Sequence, residues 1–97
     1  MADFDPIHPG AVLREDFLRP HGITQAALAR ALDVNRGRIA DVVHGRRPVT
    51  PDLALRLARY FGMSPEFWLN LQTRYDLEHT RDREGDAIAR RVRPRAA

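Results

Sequence analysis

Apolar residues recur three and four positions apart in five stretches of the chain, each bracketed by residues that start or stop helices. Val12, Leu13, Phe17 and Leu18, with Arg14, Glu15 and Asp16 between them, predict a first helix over about 10–19. It follows an irregular lead-in, Asp5-Pro6-Ile7-His8-Pro9-Gly10, whose two prolines push their predecessors toward extended geometry, and Pro20-His21-Gly22 supplies its stop. Thr24 caps a second helix over about 24–32, where Ala27, Leu28, Ala31 and Leu32 alternate with Gln25 and Arg30. Asn35 caps a third over about 35–43, with Ile39, Val42 and Val43 on one side, Arg36, Arg38 and Asp41 on the others, and Gly45 at its end. Thr50-Pro51-Asp52 places a cap, a first-turn proline and an acid ahead of Leu53, Leu57 and Phe61, and Gly62 closes this fourth helix. Ser64-Pro65-Glu66 repeats the device and opens a fifth, from Phe67 through Tyr75 and Leu77. No segment alternates with the period of a strand, so the expected class is all-α. From Thr80 the apolar content falls to scattered Ala, Ile88 and Val92 among charges, with Pro94 near the end, which predicts a mobile tail. The expected organisation is a lead-in over 1–9, a five-helix domain over 10–79 and an Arg-rich, disordered tail over 80–97.

The second and third helices meet the steric demands of a helix-turn-helix unit. Two short helices that cross over a tight turn need a small residue where they approach, and Ala29 stands there. The turn position four residues on needs a left-handed backbone, which usually selects glycine; Asp33 occupies it and tolerates that region better than most side chains. Leu28, Leu32, Val34, Ile39 and Val42 supply the apolar positions that seat the unit on the rest of the domain.

The fifth helix carries more apolar surface than one face needs. Phe67, Leu71 and Tyr75 form a stripe while Trp68 and Leu69 point elsewhere. The surplus predicts a second buried surface, most simply a two-fold dimer contact through Phe67, Trp68, Leu71 and Tyr75; the alternative is that Trp68 only completes the core.

Ninety-seven residues fill one domain, and the apolar runs are too short for a membrane span. All 16 basic residues are arginine, and the body up to Thr80 is balanced, so the formal +3 belongs to the tail. Charge is nonetheless concentrated locally: between Asn35 and Arg47 stand Arg36, Arg38, Arg46 and Arg47 against the single Asp41. Catalysis finds little material. There is no cysteine or lysine, Ser64 is the only serine and serves as a cap, and His8, His21, His44 and His79 are too scattered for a metal motif. No Gly-rich phosphate loop is present, so no cofactor, metal or small-molecule substrate is expected. With an acidic rather than basic N-terminus and no cysteine, the expected compartment is the cytoplasm. Arg36 at the start of the third helix has the fork that suits guanine O6 and N7, and Gln25 can offer an amide and helix N-terminal N–H groups to a phosphate. Gly37 reads no base and favours close backbone approach, Asp41 either accepts from a cytosine amine or, the favoured reading, clamps Arg38 three residues back, and His44 either touches phosphate or a base or caps carbonyls.

Taken together, Thr24-Gln25-Ala26-Ala27-Leu28-Ala29-Arg30-Ala31-Leu32, the turn, and Ile39 to Arg46 resemble the Cro/repressor-type (XRE) DNA-binding domain. His8-Pro9-Gly10-Ala11-Val12-Leu13-Arg14-Glu15-Asp16-Phe17-Leu18 before the unit, and Ser64-Pro65-Glu66-Phe67-Trp68-Leu69-Asn70-Leu71-Gln72 with Tyr75-Asp76-Leu77 after it, are similar to HigA-type antitoxins. The resemblance covers roughly residues 6–78. It implies a five-helix bundle that dimerises, binds an inverted repeat in its own promoter and neutralises a small basic RelE-like (HigB-type) ribonuclease toxin. Carried over by position, it implies base reading by Asn35, Arg36, Gly37 and Asp41, and phosphate contacts from Thr24, Gln25, Arg38 and Arg46; His44 and Arg47 join the phosphate set on their own chemistry. Two other readings stay open: a stand-alone dimeric repressor without a toxin, and an interaction protein whose DNA site has degenerated through Gly37.

Overall fold

The computed structural model describes residues 6–96, which form five helices and no strand. Helix α1 runs without a break through an α-helical Pro9–Val12, a π-helical Leu13–Leu18 and an α-helical Arg19–His21. It is followed by α2 (Gln25–Leu32), α3 (Arg36–Val43), α4 (Pro51–Phe61) and α5 (Pro65–Arg91).

The lead-in ends one residue sooner than expected, because His8 caps α1: its Nδ1 accepts from Gly10 N at 2.9 Å and Pro9 takes the first helical position. Residues 1–5 of that lead-in, and Ala97 of the tail, lie outside the described residues. Pro20, expected to stop α1, is instead inside it. Proline lacks an N–H and its ring crowds the carbonyl four residues back, and the π-helical turn just before it relieves both, with Arg19 N–H bonding to Arg14 O five residues away. The stop comes two residues later. There Gly22 is left-handed (φ 64°) and Ile23 N donates back to Leu18 O at 2.9 Å. The other short helices end the same way, with Val34 N on Ala29 O, Arg46 N on Asp41 O and Met63 N on Ala58 O. At the turn between α2 and α3 the left-handed residue is Asp33 (φ 56°), the only non-glycine with positive φ among the described residues. A side chain there costs about 1–2 kcal/mol relative to a right-handed position.

The helices enclose one core of Leu13, Leu28, Ile39, Val42, Leu53, Leu57 and Trp68, all fully buried. Helix α1 lies so close on α3 that a Cβ at Gly10 would sit 1.8 Å from the Val42 carbonyl oxygen, so only glycine fits. Arg14 strengthens the same contact by donating to Val43 O at 3.2 Å. Helix α5 packs on α4 and on the start of α1, and Gln72 binds it to the loop between α3 and α4 by accepting from Val49 N at 2.8 Å.

Two expectations about α5 are corrected. Trp68 is 0% exposed, surrounded by Phe17 and Phe67 at 5.0 and 5.1 Å between ring centroids, so it belongs to the core of its own chain and not to a dimer seam. Leu71 is half-buried against the same core, Tyr75 packs edge-on against His8, and of the four residues assigned to the seam only Phe67 remains exposed. The helix also does not stop before Thr80 but continues to Arg91, giving a rod roughly 40 Å long at 1.5 Å per residue. A helix needs good formers and no breaker rather than a core. Between Thr80 and Arg91 only Gly85 opposes it, and Val92-Arg93-Pro94 ends it. None of the helices is long and apolar enough to cross a membrane.

Candidate nucleic-acid interface

The outward side of the helix-turn-helix unit is built from the first turns of α2 and α3 and the loop after α3. Thr24 Oγ1 accepts from Ala27 N at 3.0 Å, which opens α2 and leaves the hydroxyl proton free to donate; Gln25 follows, half-buried. Asn35 opens α3 in the same manner, its Oδ1 accepting from Gly37 N at 2.7 Å. Its carbonyl is therefore committed to the cap, and only its amide group can reach outward. Gly37 serves that cap: a Cβ there would come within 2.9 Å of Asn35 Oδ1. Arg36 is exposed beside it and joins no ion pair among the described residues.

Asp41 does clamp arginines, but not Arg38. Its carboxylate pairs with Arg46 at 3.3 Å and Arg47 at 3.4 Å, because the turn after Gly45 folds the loop back over α3. Arg46 and Arg47 keep 62% and 53% of their side-chain surface in solvent, so they stay accessible while tethered. His44 takes the capping role, Nδ1–H donating to Ala40 O at 2.7 Å. Arg38 lies on the flank of α3 and turns toward α4, donating to Thr50 Oγ1 at 2.8 Å and to Asp52 at 3.2 Å.

Three residues outside the expected set support this surface. Gly10 sets the α1 to α3 distance, Arg14 holds the end of α3, and Arg56 donates to the carbonyls of Leu32 (2.7 Å) and Asp33 (3.1 Å) at the turn. Gly10 is marked in the sequence only by its place beside Pro9 at the start of α1, and nothing local signals the partners of Arg14 and Arg56, which lie 29 and 24 positions away.

Behind the arginine loop is a cleft of about 270 Å³ lined by His8, Gly45, Arg46, Arg47, Tyr75 and Asp76. Burial lowers the pKa of His8, and the nearby Asp76 carboxylate opposes the shift without cancelling it. The geometry agrees, since Nδ1 must stay unprotonated to accept from Gly10 N. The unfolded chain therefore takes up this proton first. The stability due to neutral His8 is complete above about pH 6.5 and is lost as pH falls below it. The melting temperature is expected to fall more between about pH 7.5 and 5.5 for the wild type than for His8→Asn, whose side chain caps without titrating; equal slopes would contradict this.

A domain in which α2 and α3 cross over a left-handed turn, with α3 presenting a capped, exposed first turn beside tethered arginines, is of the helix-turn-helix DNA-binding class. The helix-turn-helix family model HTH_3 matches residues 13–68, and the chain belongs to that family. It is 53% identical over 72 residues to virulence-associated protein I of Dichelobacter nodosus, spanning 74% of this chain and 67% of that one. To antitoxin HigA-1 of Vibrio cholerae it is 42% identical over 78 residues, spanning 80% and 73%. Among solved structures it is similar to the Pseudomonas aeruginosa antitoxin HigA with the higBA promoter, at a TM-score of 0.92 and 43% identity, with 94% of this chain and 99% of that one covered.

Proposed function

We propose that this chain is a sequence-specific DNA-binding antitoxin that represses its own operon and neutralises a small basic, RelE-like (HigB-type) ribonuclease toxin. Helix α3 enters the major groove, Arg36 reads a base, and Thr24, Gln25, Arg46 and Arg47 contact phosphates. Asn35 and Gly37 build the cap that brings this turn close, and Asp41 and His44 hold the loop and helix end. The observation that carries the reading is the exposed, unpaired Arg36 on the first turn of α3, in a fold nearly superimposable on an antitoxin HigA bound to a promoter. The toxin rests on the likeness to the HigA antitoxins. A homodimer on an inverted repeat, with half-sites about 34 Å apart, fits the helix-turn-helix mode. Leu77 and Ile88, exposed on one side of α5, offer apolar surface for it.

The test has two arms. Duplexes are selected in vitro on the wild-type chain, and Arg36→Ala is then measured on the selected sequence and on a scrambled one. The variant is expected to lose about 1–3 kcal/mol on the selected duplex and little on the scrambled one, and equal losses on both would remove the base-reading role. Co-expression with the flanking genes is expected to recover a small basic protein in fixed ratio that is toxic when expressed alone. Recovery of operator DNA without it would make the chain a stand-alone repressor.

A further inference from the structure

Helix α4 opens where both halves of the helix-turn-helix unit are within reach. Thr50 caps it and Asp52 follows in the first turn, and the Arg38 guanidinium bridges from α3 to both. One turn later Arg56 bonds the Asp52 carboxylate at 3.1–3.2 Å and extends Nη1 to the carbonyls of Leu32 and Asp33. The Asp52 carboxylate thus links an arginine of the recognition helix to an arginine that seals the turn. Hydrogen bonds from Arg56 first, and then Arg38, hold that carboxyl below the usual carboxylate range, so both links extend to more acid pH than an unpaired aspartate would allow.

The placement of Arg38 sets it apart from the other arginines of the patch. Only 24% of its side chain is exposed, less than half the fraction of Arg46 or Arg47. It stands on the flank of α3, between the outward face of Arg36 and Gly37 and the buried face of Ile39 and Val42. The backbone of α3 packs closely on α1 and α2, whereas its first turn is joined to α4 through this side-chain bridge. A phosphate approaching Arg38 would meet the Asp52 carboxylate and would have to displace two hydrogen bonds.

We infer that Asp52 is a positioning residue for DNA reading, and that Arg38 acts within the protein, on Asp52 and Thr50, instead of on a DNA phosphate. The inference rests on the DNA-reading function proposed above and offers this role for Arg38 in place of the expected phosphate contact. An isolated surface ion pair contributes little stability, so the network should be felt in the direction of α3 more than in folding.

The experiment uses the full chain, the duplex selected by the wild type and a scrambled duplex. Asp52→Asn and Arg38→Ala are each expected to weaken the selected duplex roughly tenfold while leaving the scrambled one within about twofold, with helical content unchanged. The double variant should bind no worse than the weaker single variant, because both break one network. The salt dependence should keep its slope in all three. Arg38→Lys, which keeps the charge but not the fork, should lose affinity as Arg38→Ala does. The inference is overturned if Arg38→Ala lowers the salt slope by about one unit, if the two losses add, if Arg38→Lys binds normally, or if Asp52→Asn binds as tightly as wild type. If the wild type selects no sequence, the DNA-reading proposal falls, and this one with it.

Discussion

Gly10→Ala is expected to lower the free energy of unfolding by about 2 kcal/mol, although alanine is the better helix former by about 1 kcal/mol. The added Cβ would lie 1.8 Å from the Val42 carbonyl oxygen and 2.8 Å from its carbon. Both are backbone atoms, so the clash cannot be relieved by swinging a side-chain tip aside; α1 and α3 must separate. The Arg14 bond to Val43 O and the His8 cap on Gly10 N ride on that contact and weaken with it. Because α3 carries Arg36, the same displacement should also reduce operator affinity. Urea unfolding checks the first effect. A midpoint equal to or above wild type would mean that α1 can shift at no cost.

Trp68→Ala should be costlier still, about 3–5 kcal/mol, a large share of the roughly 5–15 kcal/mol available to a domain of this size. Trp68 is fully buried against Phe17 and Phe67, and its neighbours are helix-borne and cannot collapse into the space. Its Nε1–H has no hydrogen-bond partner among the described residues. Trp68→Phe therefore exchanges lost volume against removal of an unsatisfied donor, and is expected to remain within about 1 kcal/mol of wild type. Thermal melts with sedimentation at each temperature separate this from a seam role. The alanine variant should melt well below wild type; a Trp68→Ala monomer that melts with the wild type, alongside a wild-type dimer, would return Trp68 to the interface.

What could be read from the sequence was local. Thr24, Asn35, Thr50 and Ser64 announce themselves as caps because the donors they satisfy lie two or three residues ahead. Asp33 stood out because a tight turn demands a left-handed residue wherever the rest of the chain lies. The capped, exposed first turn of α3 followed from the same reasoning. The misses share a different origin, the choice among partners that sequence spacing leaves equivalent. Asp41 had arginines available on both sides, and the fold of the loop, not helical spacing, selected Arg46 and Arg47. Arg38 looked like its neighbours in the patch until α4 was seen to pass beside it. Trp68 was plainly destined for burial, but periodicity does not distinguish a chain's own core from a second copy's surface. Helix α5 outran its expected end because apolar content measures packing, whereas continuation past Thr80 needs only compatible residues.

The π-helical segment of α1 bears on how this helix is compared between related chains. Each of its hydrogen bonds closes over one more residue than in an α-helix, so Leu13–Leu18 stores an extra residue without a loop to hold it. A related chain lacking one residue here could close the same span as a plain α-helix while keeping glycine against the third helix and glycine at the exit. A one-residue gap in an alignment across this stretch would thus record a change of helix type, with the ends of the helix and the surface they support left in place.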